Sequence, residues 1–214
     1  MDQQEAFIAS LKLQPLVVVL RPDPSDYEAS STKKPLFLLI EKLHSAGIKH
    51  IEISWVSNPY WISLMQSLKE SFNDISFGAA SITNTDALQA IADLGLDYAM
   101  TPVWDPVLQL KAINLKQLLI PGVFSPTEFY QAKSFGCGLV KFFPASLLGI
   151  KYANQLKAPL GSLPFIIAAG GLTVNDLTPW LQQGYGALAL GRELIHNYQI
   201  DPKLQQWLDR QSNL

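Results

Sequence analysis

The sequence is poor in cysteine and histidine, the residue types that build disulfides and many metal sites. Cys137 is the only cysteine among 214 residues, which excludes an internal disulfide framework and a zinc site made of several cysteines. The three histidines, His44, His50 and His196, stand far apart in the sequence, which argues against a histidine metal site. We therefore predict a protein without a bound metal.

Charged residues and long apolar runs are also scarce. Charged side chains make up 16% of the chain and the net charge is −2, so no basic field attracts nucleic acid. No apolar run reaches the roughly 20 residues of a membrane-spanning helix. The N-terminal segment carries Asp2, Glu5 and Lys12 and lacks the apolar core of a signal peptide. These absences predict a cytoplasmic protein that binds neither nucleic acid nor membrane.

Hydrophobic residues, at 48% of the chain, are abundant and fall into short runs typical of strands buried on both faces. The sequence predicts eight such strands, each followed by a helix. Doubly wound sheets usually have five or six strands, so eight repeats predict one closed (β/α)8 barrel domain over residues 1–214. A doubly wound fold is the alternative, but no GxGxxG motif follows the first strand. The predicted strands are 15–21, 50–54, 75–81, 96–102, 117–122, 138–144, 163–171 and 186–191.

The segments between these strands predict helices with recognisable ends. A short N-terminal helix covers residues 2–11, and a loop rich in Pro, Ser, Asp and Thr covers 22–33. Ser125-Pro-Thr-Glu128 is a typical helix start, and Gly136 a typical helix end. The predicted helices are 34–46, 58–72, 84–94, 105–113, 125–135, 146–157, 173–183 and, after the last strand, 193–209.

Lys141 is an unusual residue for the middle of the sixth predicted strand. It stands between Val140 and Phe142, and burying an unpaired ammonium group is unfavourable by several kcal/mol. In one interpretation, Lys141 extends from a strand end to reach water. In the other, desolvation keeps the amine partly neutral, so that it can attack a carbonyl and form a Schiff base.

Glu52 occupies the equivalent place in the second predicted strand, between Ile51 and Ile53. Strands two and six lie on opposite sides of an eight-stranded barrel, so both side chains are expected at the same mouth. One interpretation is a structural ion pair. The other, which we favour at this end of a barrel, is a catalytic pair with Lys141 as nucleophile and Glu52 as proton shuttle.

The last two strands end in glycines where barrels commonly bind phosphate. Gly170 and Gly171 follow the seventh strand, and Gly191 and Arg192 follow the eighth. The glycines let the backbone approach an anion, and Arg192, placed at a helix start, adds a bidentate guanidinium group. Arg21, at the end of the first strand, is a candidate to bind a carboxylate, or else an exposed charge at a strand end.

The order and spacing of several segments resemble the family of aldolases that act on 2-keto-3-deoxy-6-phosphogluconate (KDPG) and 2-keto-4-hydroxyglutarate (KHG). This resemblance covers nearly the whole chain. The matching segments are VVVLR (17–21), IEIS (51–54), GAAS (78–81), MTP (100–102), IPGVFSPTE (120–128), KFFPAS (141–146), GG (170–171) and LGRELI (190–195).

The resemblance implies a class I aldolase that uses no cofactor and assembles as a homotrimer. It implies that Lys141 forms an iminium with pyruvate, that Glu52 is the general acid/base, and that Arg21 lies near the pyruvate carboxylate. It also implies that Ser81 and Pro102 bind the pyruvate part of the substrate. The residues implied to bind the phosphate are Gly170, Gly171, Gly191 and Arg192.

The chain departs from the family pattern in the residues that would contact the distal end of the substrate. GAGT of the family is GAAS here, which adds a methyl group at Ala80. Thr-Gly-Gly has become Ala169-Gly170-Gly171, and Gly-Ser has become Gly191-Arg192. Some members carry an arginine where this chain has Val56.

The resemblance implies cleavage of a KDPG-like acid to pyruvate and glyceraldehyde 3-phosphate, of KHG to pyruvate and glyoxylate, or of both. Two other functions are open at this point. One is another phosphosugar lyase or isomerase of the same fold, and the other is a barrel that binds a phosphosugar without catalysis.

Overall fold

The computed structural model describes residues 2–23, 26 and 35–211. Its main sheet consists of nine strand segments, and each pairs with its neighbours in parallel. They are β1 (Leu16–Leu20), β2 (His50–Ser54), β3 (Ser76–Ala80), β4 (Tyr98–Met100), β5 (Leu119–Ile120), β6 (Gly122–Val123), β7 (Leu139–Phe142), β8 (Phe165–Ala169) and β9 (Ala187–Leu190).

The sheet closes on itself at Pro121. Its strand order is β5-β4-β3-β2-β1-β9-β8-β7-β6, so the two outermost segments are the two halves of one chain segment. Proline has no N–H and interrupts the ladder, but both halves stay paired. The Ile120 carbonyl accepts from Thr101 N at 3.1 Å, and the Pro121 carbonyl accepts from Lys141 N at 2.8 Å. The predicted (β/α)8 barrel is therefore confirmed, with its fifth strand split in two.

Helices follow the strands around the outside of the barrel. No helix of the described residues combines the length and the apolar character needed to cross a membrane. The helices are α1 (Gln3–Leu13), α2 (Pro35–Ser45), α3 (Pro59–Ser71), α4 (Thr85–Asp93), α5 (Pro106–Leu115), α6 (Pro126–Phe135), α7 (Ala145–Leu148), α8 (Tyr152–Leu160), α9 (Leu177–Gln182) and α10 (Lys203–Gln211).

Strand residues alternate between two apolar cores. In β1, Leu16 and Val18 belong to the large outer core between strands and helices, whereas Val17 belongs to the smaller core inside the barrel. Alternate residues of a strand point to opposite faces of a sheet, which accounts for this division. Phe7 and Leu11 of α1 also belong to the inner core. The N-terminal helix therefore closes the end of the barrel where the strands begin.

Two of the predicted helices are interrupted in the structure. The segment predicted as 146–157 is divided into α7 and α8, because Gly149 takes a left-handed φ of 78° and ends α7. The segment predicted as 173–183 begins with a 3-10 turn, Val174–Asp176, before α9. The predicted loop 22–33 and the start of the predicted helix 34–46 lie outside the described residues, apart from 22, 23 and 26.

The largest error concerns the helices predicted over 193–209, of which only the last part is helical. The chain instead forms an antiparallel hairpin of β10 (Ile195–His196) and β11 (Gln199–Ile200), and α10 starts only at Lys203. Asn197 and Tyr198 at the hairpin tip have left-handed φ values of 48° and 58°. Two such residues give a type I′ turn, whose twist matches the paired strands.

Candidate active site

Lys141 lies inside the barrel on β7. Its neighbours Val140 and Phe142 point outward into the outer core, so the lysine points inward. The side chain is only 7% exposed, and its Nζ lies 5.4 Å from the centre of the Phe143 ring. An ammonium group over an aromatic face gains a cation–π attraction. The side chain does not extend into solvent, which removes the first interpretation of this residue.

Glu52 lies inside the barrel on β2, and its neighbours in the register are Val19 on β1 and Gly78 on β3. It is completely buried. Neither carboxylate oxygen accepts a hydrogen bond from the described part of the chain. Such a group is costly to bury unless something else bonds to it, so the Glu52 oxygens still have the capacity to accept hydrogen bonds from a water or another group.

The electrostatics of Glu52 are dominated by its burial. Loss of water raises the pKa of the Glu52 carboxyl above its usual value, and the charges of Lys141 and Arg21 oppose that rise. Among residues 2–23, 26 and 35–211, no ion pair within 4 Å joins Glu52 to Lys141. The two side chains therefore do not form the structural ion pair of the alternative interpretation.

A cleft of about 170 Å³ opens where the strands end, next to Lys141. The structure brings six of the predicted site residues together in this cleft, and Arg21 Nη1 reaches to 3.5 Å from the position that a Gly191 side chain would occupy. The residues that line the cleft are Val19, Arg21, Lys141, Phe143, Ala169, Gly170, Gly171, Leu172, Ala189, Gly191, Arg192 and Glu193.

The glycines after β8 are required by the backbone. Gly170 and Gly171 take left-handed φ values of 94° and 71°, which other residues rarely adopt. A side-chain carbon at Gly171 would overlap the Ser146 hydroxyl, and one at Gly170 would lie 3.0 Å from Phe143. The conformation of this loop therefore requires glycine at both positions.

Residues 9–207 match the family of KDPG and KHG aldolases. The chain belongs to this family. Aldolases are carbon–carbon lyases, so the chain is a lyase. The 2-dehydro-3-deoxy-6-phosphogalactonate aldolase of Escherichia coli strain K12 is 28% identical over 150 residues, 70% of this chain and 73% of that protein. A probable 2-dehydro-3-deoxy-6-phosphogalactonate aldolase of Rhizobium meliloti is 28% identical over 182 residues, 85% of this chain and 82% of that protein.

Solved structures with this family's fold superpose over nearly the whole chain. A native KDPGal structure gives a TM-score of 0.76 at 23% identity, covering 94% of this chain and 97% of that chain. A KDPG aldolase of Legionella pneumophila with pyruvate captured as a covalent carbinolamine gives 0.74 at 20% identity, covering 95% of both chains. At these identities the matches establish the fold alone.

The loop after β9 differs from the structure predicted for it. The prediction that Arg192 stands at a helix start is wrong. Residues 191–194 form a turn in which Leu194 N donates to the Gly191 carbonyl at 2.8 Å, and a hairpin follows. The N–H groups of Leu194 and Ile195 both donate to the Gly191 carbonyl in this turn, so the charged donor that residues 191–194 carry is Arg192.

Ser81 and Pro102 do not line the cleft beside Lys141. They follow β3 and β4, on the side of the barrel mouth next to Glu52. Ser81 is exposed and takes a left-handed φ of 65°. For a residue other than glycine, this backbone conformation is strained and typical of functional sites.

Sequence reasoning missed the other six lining residues of the cleft, of which Glu193 carries a charged side chain and Phe143 an aromatic one. Glu193 follows Arg192 and adds a carboxylate to the cleft, and Phe143 places its ring below the Lys141 amine. The match to the segment KFFPAS was the available signal for Phe143. Within the described residues, no group of three or more His, Cys, Asp and Glu side chains could hold a metal ion.

The raised pKa of Glu52 predicts how the stability of the protein depends on pH. Below about pH 4.5, the usual pKa of this side chain, Glu52 is protonated in both the folded and the unfolded chain. At higher pH the unfolded chain ionises more readily, so the contribution of Glu52 to stability falls. We expect Glu52→Gln to raise the melting temperature by a few degrees at pH 8 and to leave it unchanged at pH 4.

Thermal unfolding followed by circular dichroism at the two pH values measures this effect. Glu70→Gln, which changes an exposed carboxylate on α3, is the matched control and should have no such effect. A Glu52→Gln protein that melts below the wild type at pH 8 would contradict the expectation.

Proposed function

We propose that this chain is a cytoplasmic class I aldolase that cleaves a 2-keto-3-deoxy-6-phospho sugar acid to pyruvate and glyceraldehyde 3-phosphate. The observation that supports this most strongly is the buried Lys141 amine at the barrel mouth, across the barrel from the buried Glu52 and beside a cleft lined by Arg21 and Arg192. The names of the relatives, aldolases of phosphorylated 2-dehydro-3-deoxy acids, support the same reaction.

Lys141 acts as the nucleophile in this proposal. Its Nζ adds to the C2 ketone of the substrate to give a carbinolamine, which loses water to form an iminium ion. The iminium nitrogen then accepts the electron pair of the C3–C4 bond as that bond breaks. The C4 hydroxyl loses its proton at the same time and becomes the aldehyde that leaves. Hydrolysis of the remaining pyruvate iminium restores the amine.

Glu52 acts as the proton shuttle. In its ionised form it accepts the C4 hydroxyl proton through a water, and it later returns a proton to C3 of the pyruvate enamine. Burial raises the pKa of its carboxyl group, which brings the group closer to the pH at which it must both take and give a proton. Neither of its oxygens accepts a hydrogen bond from the described residues, so both are available for this transfer.

The remaining predicted residues orient the substrate. Arg21 binds the carboxylate next to C2, with Ser81 and Pro102 bounding the pyruvate part from the β3 and β4 side. The phosphate lies against the residues that follow the last two strands of the barrel: Gly170, Gly171, Gly191 and Arg192. Holding both ends of the substrate in this way reduces the entropy lost at the transition state.

KHG is the second candidate substrate, and the loop after β9 is the observation that favours it. Its single guanidinium group stands beside the carboxylate of Glu193, with no helix start to attract a second negative charge. A substrate with a carboxylate at its distal end, such as KHG, carries one negative charge there. That charge can pair with one bidentate arginine.

Lys141→Ala tests the covalent mechanism. Without the amine no iminium can form, so we expect cleavage to fall at least a thousandfold and borohydride to trap no pyruvate adduct. Aldol cleavage is measured by coupled detection of pyruvate, and the adduct by mass spectrometry. Lys151→Ala, which removes an exposed lysine outside the cleft, should keep both properties.

Two results would overturn the assignment. Unchanged cleavage by Lys141→Ala would remove the Schiff base, and a wild-type protein that binds the substrates without cleaving any of them would indicate the non-catalytic barrel. An isomerase of the same fold would convert its substrate without trapping pyruvate.

Arg192→Ala tests where the distal anion binds. A lost hydrogen-bonded ion pair of this kind changes binding by about 10- to 100-fold. We expect KM to rise by that factor for whichever of KDPG and KHG uses the arginine, with kcat little changed. Arg210→Ala on α10 is the control. Equal KM values for Arg192→Ala and wild type with both substrates would place the distal group elsewhere.

Homotrimer assembly is the last part of the proposal. Val107, Leu110 and Ile113 form an apolar stripe on α5, spaced three residues apart, and each is more than half exposed. Exposed apolar patches of this kind mark protein interfaces. A designed cage made by fusing symmetric oligomeric domains shares the fold, with a TM-score of 0.75 at 24% identity over 93% of this chain and 71% of that chain.

Light scattering checks the assembly. A trimer of 23.7 kDa chains has a mass of about 71 kDa, and Leu110→Glu should reduce the mass to that of one chain, because three charges would be buried without partners. Leu13→Glu, at an exposed leucine of α1, should leave the mass unchanged. A wild-type mass of 23.7 kDa would exclude the trimer.

A further inference from the structure

Tyr98 carries a buried hydroxyl group that the proposed mechanism does not use. The residue lies on β4 inside the barrel, is completely buried, and packs in the inner apolar core. Its hydroxyl makes no hydrogen bond to the described part of the chain. A buried hydroxyl without a partner is unfavourable, and a phenylalanine would fill the same space without that penalty.

The strand register places Tyr98 in one row with Glu52. Glu52 on β2 is level with Gly78 on β3, and Gly78 is level with Tyr98 on β4. Gly78 has no side chain, and a Cβ there would overlap Cε2 and Cζ of the tyrosine ring. The phenol end of the ring therefore lies over Gly78, and its hydroxyl is directed across β3 to the strand that carries Glu52.

The distance and the packing suit an indirect contact. Neighbouring strands are about 4.8 Å apart, so the backbones of Tyr98 and Glu52 are two strand spacings apart in the register, and the tyrosine ring spans the first of these by lying over Gly78. Phe7 of α1 packs against the ring with the centroids 4.3 Å apart, which holds the ring in this position. Within the described part of the chain no direct hydrogen bond joins the Tyr98 hydroxyl to Glu52, and a polar contact across a longer gap calls for a bridging water.

These two residues carry three buried polar atoms that have no partner in the described part of the chain: the Tyr98 hydroxyl and the two carboxylate oxygens of Glu52. The Ser54 hydroxyl, two residues further along β2, is also buried and has no partner among the described residues. A buried water typically makes about three hydrogen bonds to such groups. One water at this position can accept from Tyr98 and donate to Glu52.

We propose that Tyr98 is a positioning residue for the proton shuttle: its hydroxyl donates to a buried water that in turn donates to the Glu52 carboxylate. This inference rests on the role proposed for Glu52. The water-bridged bond favours the ionised carboxylate, because a donor directed at a carboxylate stabilises its charged form. It therefore counteracts the effect of burial and keeps Glu52 able to accept a proton.

Tyr98 itself stays protonated in this arrangement. Burial raises the pKa of its phenol well above the ordinary value, and the charges of Glu52 and Asp97 add to the rise. Asp97 is engaged elsewhere, since it accepts a hydrogen bond from Phe77 N at 3.0 Å. Tyr98 is thus a permanent donor and does not compete with Glu52 for the transferred proton.

The other ionisable groups around Glu52 are accounted for. Lys141 faces it from β7 and Arg21 from the end of β1, and both favour the ionised carboxylate. On β2 itself, burial lowers the pKa of His50 to about 4, so this residue is neutral near pH 7. Its Nε2 lies 2.7 Å from the Ser10 hydroxyl of α1. Tyr98 is the group on β4 that can modulate Glu52.

Tyr98→Phe removes the hydroxyl and keeps the ring. We expect the acidic limb of the kcat/KM profile to move up by about one pH unit, because Glu52 loses a donor that stabilises its charge. Borohydride trapping of pyruvate on Lys141 should persist. Tyr185→Phe, which removes a buried phenol hydroxyl from the outer core, is the matched control and should leave the profile in place.

A second measurement separates this inference from the proposed function. The Glu52 carboxyl titration can be followed by ¹³C NMR of labelled protein, which needs no activity, and its midpoint should also rise by about one unit in Tyr98→Phe. A wild type that traps no pyruvate would overturn the aldolase proposal and leave this titration informative. Unchanged midpoint and unchanged pH profile in a folded Tyr98→Phe protein would overturn the role of Tyr98.

Discussion

Closure of the barrel at Pro121 is the constraint on which the site depends. A sheet that ended there would expose one edge, and the strand carrying Lys141 would border solvent. Instead the Pro121 carbonyl accepts a hydrogen bond from Lys141 N on one side. The Ile120 carbonyl accepts one from Thr101 N, which follows β4, on the other side. Lys141 is therefore an interior residue of a closed sheet, and so is Glu52 across the barrel. Burial in this interior raises the pKa of the Glu52 carboxyl, and shifts of this kind are common at catalytic sites.

Each of the two residues has a glycine beside it in the register. Gly78 on β3 is level with Glu52, and Gly122 on β6 is level with Lys141. Both glycines are needed, because a Cβ at Gly78 would overlap the Tyr98 ring and one at Gly122 would overlap the Pro102 backbone. Interior positions of a small barrel are normally filled by side chains. The glycines leave room inside the barrel for the functional groups, and for Tyr98 to extend between strands.

The unfavourable burial of Glu52 is offset by packing elsewhere. The outward faces of the same strands carry residues such as Val18, Ile51 and Val140, which are fully buried against the helices. Burying such side chains stabilises a fold by about 1.5–3 kcal/mol each. Because inward and outward positions alternate along each strand, the interior can hold polar groups without weakening this outer core.

The alternation of short apolar runs with helical segments was enough to predict the barrel, and it also predicted that Lys141 and Glu52 lie in its interior. A charged residue between two β-branched or aromatic ones in a buried strand has few structural explanations. Tyr98 gave no comparable signal, because tyrosine is common in strands and its role depends on the register with Gly78. The hairpin at Ile195–Ile200 was also missed, since its turn needs left-handed Asn197 and Tyr198, and Tyr198 is an unusual residue there.

Strands and loops constrain the two parts of the proposed site differently. Lys141 and Glu52 are fixed by strand register, so moving either by one position would turn its side chain to the outer face. Arg192 and Glu193 belong to the turn after β9, where a hairpin has taken the place of the expected helix. A helix start attracts an anion from a broad range of directions, whereas a guanidinium group binds in a fixed bidentate geometry. In the proposed reaction, recognition of the distal end of the substrate therefore depends on the direction of one arginine side chain, while the bond-breaking chemistry depends on the barrel.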